Sequence, residues 1–82
     1  MNELEIYNVL IDIVSDSLED DNLKEKVNMD TNIFTDLEMT SIAMLYIAMG
    51  IEDKFSIKLN NEDVSKYQIV RDWVNYIASK LR

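Results

Sequence analysis

The chain has 82 residues, a net charge of −8, and neither cysteine nor histidine. These counts exclude Cys/His metal sites, thiol nucleophiles, Ser–His pairs and disulfides, and the acidity argues against nucleic acid or anionic membranes as partners. Such a length makes one domain, residues 1–82, with a core modest enough to favour a compact helical bundle.

No basic stretch precedes an apolar run at the N-terminus, so no secretion signal is expected. The longest uncharged apolar run, Ile42 to Ile51, is too short to span a bilayer. A cytoplasmic monomer is expected, without membrane insertion. Its acidity suits steering towards basic patches on other proteins, although solubility alone also accounts for it.

In chain order, Leu4, Tyr7, Leu10, Ile11, Val14 and Leu18 recur at helical spacing and predict a first helix over residues 2–18. Glu19-Asp20-Asp21-Asn22 ends it. A connection of about 20 residues then runs to Thr40, pinned by Val27, Met29, Ile33, Phe34 and Leu37. Such length points to function or to a hidden short turn. A second helix spans Ser41 to Phe55. Ser56 to Asn61 is a loop, with two asparagines suited to a turn. A short helix over Glu62–Tyr67 follows, then a last helix over Ile69–Leu81 with Val70, Trp73, Val74, Ile77 and Leu81 on one stripe. No segment alternates with period two. The expected fold is all-α: a four-helix bundle of three long helices and one short, with a long loop between the first and second.

The second helix departs from the usual amphipathic pattern. Ten consecutive residues, Ile42 to Ile51, carry no charge. Met44, Ile47, Ile51 and Phe55 form a buried stripe, which leaves Ile42, Leu45 and Met49 on another face, near Ser41. That second strip reads either as a contact surface or the mouth of a pocket, or as one side of a helix buried all round. Gly50 lies mid-helix at a cost of ~1 kcal/mol relative to alanine; close helix approach is one explanation. Ser41 stands where loop becomes helix, over free backbone N–H groups and the positive end of the helix dipole. A phosphate ester on its hydroxyl is well placed there.

The residues around Ser41 resemble the attachment site of acyl carrier proteins. Phe34 and Asp36-Leu37 precede the serine at that family's spacing, and Phe55 ends the helix fourteen residues after Ser41. Glu62-Asp63 opens a short helix, and Ile69-Val70 and Val74-Asn75-Tyr76-Ile77 resemble the family's closing helix. The resemblance covers residues 4–80. It implies a four-helix bundle without catalytic or metal-ligating residues of its own. It also implies 4′-phosphopantetheine on Ser41 and acyl thioesters as cargo, in fatty-acid, polyketide or related specialised biosynthesis. The implied partners are a phosphopantetheinyl transferase and acyl-loading and synthase enzymes, met through Ile42, Leu45, Met49, Glu52 and Asp53. In the transferase, Ser41 Oγ attacks the β-phosphate of coenzyme A, with Mg²⁺ polarising the phosphate, and adenosine 3′,5′-bisphosphate leaves.

The chain also departs from the family. Thr40-Ser41-Ile42 replaces the usual Asp-Ser-Leu, Glu38 stands where glycine is common, and Ala43 and Tyr46 stand where the family carries acidic residues. Thr40 keeps a capping hydroxyl but no charge. Partner recognition is therefore expected to be more apolar than usual, as in a carrier dedicated to one synthase. Restoring acidity with Thr40→Asp and Ala43→Asp is expected to speed modification by a housekeeping transferase. The string Asp16-Ser17-Leu18 is a decoy, because Ser17 falls at a helix C-terminus where a phosphate is disfavoured. Asp30, Asn32 and Asp36 resemble a calcium loop, but Thr35 and Ser41 occupy the positions that need glycine and glutamate; turn chemistry explains them better. Two other readings remain at this stage: an unmodified carrier-like scaffold, and a small acidic helical inhibitor of the immunity type.

Overall fold

Asn2 starts the first helix. Its side chain accepts from the Glu5 backbone N–H at 2.9 Å, and Glu5 accepts from the Asn2 backbone N–H at 3.3 Å, a reciprocal capping box. This helix, α1, spans Glu3–Leu18 and stops where Glu19 turns left-handed at φ 53°. The Asp20 N–H then closes on the Ser15 carbonyl at 3.1 Å, which satisfies a group the helix end would leave orphaned. The structure, a computed structural model, describes residues 1–37 and 39–81, the Asn61 side chain aside. The other helices are α2 (Leu23–Lys26), α3 (Ser41–Phe55), α4 (Asn61–Lys66) and α5 (Val70–Lys80). The predicted second helix is thus α3. No strand forms among the described residues; one isolated antiparallel bridge pairs Asn32 with Ile69. The expected all-α bundle is present, and the long connection contains the extra turn α2.

α1 packs against both α3 and α5. Its buried residues are Ile6, Leu10, Ile11, Ile13 and Val14, joined by Met44, Ile47, Ile51 and Phe55 of α3 and Val70, Trp73, Val74 and Ile77 of α5. Two assignments from spacing need correction. Leu4 is 66% exposed, because a helix sandwiched between two others turns Ile6 and Ile13 inward as well and rotates off Leu4. Leu81 falls just past the end of α5 and is exposed. Gly50 faces Ile13: a Cβ built there would lie 2.7 Å from Ile13 Cγ2. Close approach of α1 and α3 therefore explains the glycine.

The long loop is pinned by buried Leu23, Val27 and Ile33 and by backbone pairing. Ile33 N–H donates to the Gln68 carbonyl at 2.7 Å, Val70 N–H to Thr31 at 2.9 Å, and Arg71 N–H to Met29 at 2.8 Å. Asp30 pairs with Arg71. The hydrogen bond from Lys26 is the main cause that holds the Asp20 carboxyl below its ordinary range. Turn chemistry runs through Asn28 and Asn32. Asn28 Oδ1 accepts from Asp30 N–H, and Asn32 Oδ1 accepts from the N–H groups of Phe34 and Thr35. Asp36 Oδ2 accepts from Asn32 N–H at 2.8 Å. These bonds fix the turn from Asn28 to Asp36.

Candidate functional site

Thr40 is the N-cap of α3, in extended backbone at φ −101° and ψ 164°. Its Oγ1 accepts from Ala43 N–H at 3.0 Å, and its carbonyl accepts from Met44 N–H at 3.0 Å. Threonine thus caps with its hydroxyl alone. Ser41 is the first helical residue and is exposed. Among the described residues, no side chain or backbone oxygen accepts from the N–H groups of Ser41 or Ile42. These donors and the helix dipole together amount to roughly half a positive charge. An anion esterified to Ser41 Oγ fits such surroundings.

A groove of about 350 Å³ opens beside Ser41, lined by Phe34, Met39, Thr40, Ser41, Met44, Leu45, Val64 and Ser65. None of these eight is ionisable at neutral pH. Among these described lining residues none is a base that could take the Ser41 proton. A lining without charged residues beside an anion-tolerant helix end suits a phosphodiester that continues into an uncharged arm.

The outer face of α3 carries Ile42 at 66%, Leu45 at 60%, Tyr46 at 59% and Met49 at 55% exposure. Spacings of three and four residues place them together. The strip that spacing left ambiguous is therefore outside the core. Tyr46, four residues after Ile42 and three before Met49, belongs to it and was missed as a face residue, although the spacing carried the signal. Asp53 is exposed at the far end, whereas Glu52 is half-buried and its Oε2 accepts from Leu59 N–H at 3.0 Å. Glu52 thus holds the loop after α3 as well as adding charge. Ala43 is only 8% exposed, so it offers no surface for an acidic residue. Val64 and Ser65 reach the site from α4, and nothing local in the sequence signals this. Glu38 lies outside the described residues.

Ser17 sits in the last turn of α1 and donates its hydroxyl to the Ile13 carbonyl at 2.9 Å. Among the described residues, no group of three or more acidic side chains is placed to hold a metal ion. No described helix is long and apolar enough to cross a membrane.

A family model described as "Phosphopantetheine attachment site" matches residues 8–77. The chain is similar to the acyl carrier protein of Lactobacillus acidophilus, at 33% identity over 79 residues covering 96% of each chain. It is 34% identical to that of Lactobacillus johnsonii over the same 96% of each chain. The acyl carrier protein of Renibacterium salmoninarum matches at 38% over 55 residues, 67% of this chain and 68% of its own. With the family model and the near-full-length relatives in agreement, the chain belongs to the acyl carrier protein family, whose prosthetic group is 4′-phosphopantetheine.

Proposed function

We propose that Ser41 bears the phosphopantetheine and that this chain, a single carrier domain over residues 1–82, presents acyl thioesters to cytoplasmic enzymes of fatty-acid, polyketide or related specialised biosynthesis. The observation that carries the reading is the exposed Ser41 hydroxyl at the head of α3, beside an apolar groove and inside the matched region. The transferase supplies the base that takes the Ser41 proton. Ser41 Oγ then forms a bond to the β-phosphorus of coenzyme A, the phosphoanhydride bond breaks, and adenosine 3′,5′-bisphosphate leaves. Once attached, the group supplies a thiol that holds cargo as a thioester.

The chain's own residues position and recognise. The capped end of α3 stabilises the phosphodiester charge through the N–H groups of Ser41 and Ile42, from which no described residue accepts. The groove gives the arm and the start of its cargo an apolar wall. Tethering raises the effective concentration of cargo at each partner. Ile42, Leu45, Tyr46 and Met49 form the docking face, with Asp53 and the edge of Glu52 supplying charge at its far end. An apolar face with acidity at one end suits a dedicated synthase with a matching apolar groove better than a wholly basic patch. Catalysis lies with the partners.

The test is intact mass after incubation with coenzyme A, Mg²⁺ and a broad-specificity phosphopantetheinyl transferase. The expected result is a gain equal to phosphopantetheine in the parent and none in Ser41→Ala. No gain with several transferases would replace this reading with an unmodified scaffold.

A further inference from the structure

Among its described residues, α4 is anchored to the bundle by few groups. It has six residues and no side-chain cap, and none of its described side chains is fully buried. Its side-chain hydrogen bond to another helix joins Asp63 Oδ2 to the Tyr76 hydroxyl on α5 at 2.7 Å. The Tyr67 ring, just past α4, lies 4.9 Å from that of Tyr76 and 5.9 Å from that of Trp73, edge-on to the latter. Burial, then the Asp63 hydrogen bond, push the Tyr76 phenol up to about 12. A hydroxyl donating to a carboxylate is among the stronger and more directional contacts available to a side chain.

The same helix walls the groove beside Ser41. Val64, the residue after Asp63, and Ser65 line it together with Met44 and Leu45 of α3. The bond from Tyr76 to Asp63 thus lies one residue from Val64, which also packs against the core. We propose that the Tyr76–Asp63 hydrogen bond latches α4 and sets the width of this groove, which makes Tyr76 and Asp63 determinants of the size of apolar cargo sheltered there. The cargo part rests on the carrier reading; the latch and the groove width do not.

The experiment uses the full chain in a Ser41→Ala background, so that phosphopantetheine attachment plays no part. Amide hydrogen exchange reports α4, and Nile red, a neutral apolar dye, reports the groove. Tyr76→Phe and Asp63→Ala, which removes the acceptor altogether, are each expected to speed exchange at Val64, Ser65 and Lys66 about tenfold, more than in α1, α3 and α5. Dye binding should tighten several-fold, and Val64→Trp should abolish it. The double variant should add nothing to either single one. Unchanged exchange in α4, equal acceleration in α1 and α5, or faster exchange without tighter dye binding would each overturn the proposal. A failure of the carrier reading would appear instead in the mass experiment on the parent chain.

Discussion

Thr40 and Ser41 divide two tasks at the head of α3. Thr40 Oγ1 satisfies the Ala43 N–H, so Thr40→Val should cost about 1 kcal/mol in urea unfolding, while Thr40→Ser and Thr40→Asp should keep most of the stability. Ser41→Ala removes an exposed hydroxyl and should change stability by less than about 0.5 kcal/mol. Equal losses at both positions would contradict this division. The same geometry revises where acidity can be restored for a housekeeping transferase. At the largely buried Ala43, Ala43→Asp should destabilise by about 1–3 kcal/mol because the carboxylate loses water without gaining a partner. Thr40→Asp combined with Tyr46→Asp should instead raise the rate of modification at unchanged stability. Equal rates for this variant and the parent would remove electrostatics as the reason for the difference.

Between elements, the α1–α3 contact and the α4–α5 contact behave differently. Gly50→Ala gains ~1 kcal/mol of helix propensity but drives a Cβ to within 2.7 Å of Ile13 Cγ2, a β-branched methyl with little freedom to move. Overpacking of this kind costs about 1–3 kcal/mol, so a net loss of up to about 2 kcal/mol is expected by thermal unfolding. Ile13→Ala should cost less in the Gly50→Ala background than in the parent; additive losses would rule out close approach as the cause. The α4–α5 contact is sensitive to alkali instead. The Tyr76 phenol is raised from 10.0 to about 12 by burial and by Asp63, so the folded state favours its protonated form. Its contribution is complete below pH 10 and is lost as pH rises through about 12. The stability gap between parent and Tyr76→Phe should therefore narrow across that window. A constant gap from pH 8 to pH 12 would rule the linkage out.

For the molecule as a whole, charge repulsion is expected to outweigh ion pairing. Sixteen acidic residues face eight basic ones, and the three described salt bridges, Lys24–Asp12, Lys26–Asp20 and Arg71–Asp30, are largely exposed. Exposed pairs contribute about 0–1 kcal/mol each, while excess like charge destabilises a compact state. Raising ionic strength from 0.01 M to 1 M shortens the screening length from about 30 Å to about 3 Å. The melting temperature should rise as a result, and a fall would mean that the ion pairs dominate. The core tolerates little loss: Ile51 is fully buried, and truncating such a residue to alanine costs about 2–5 kcal/mol against a total of about 5–15 kcal/mol for a typical domain.

The sequence by itself determined the helices other than α2, the cap at Thr40, the placement of Ser41 at a helix head and the family. Periodicity, hydroxyl capping and loop residues act within a few positions of one another and leave a local record. Only the tertiary structure decided that the second apolar strip on α3, Ile42, Leu45 and Met49, faces water instead of lying inside a helix buried all round, because spacing shows two apolar faces without showing whether both are covered. It also decided that Leu4 stands outside the core, that Gly50 answers to Ile13, and that Glu52 holds Leu59. The groove beside Ser41 belongs to that second group. Val64 and Ser65 in its lining stand more than twenty positions along the chain and reach the serine through the packing of α4 against the bundle. A contact made by packing distant segments is fixed by the whole core at once, and no short stretch of residues carries it.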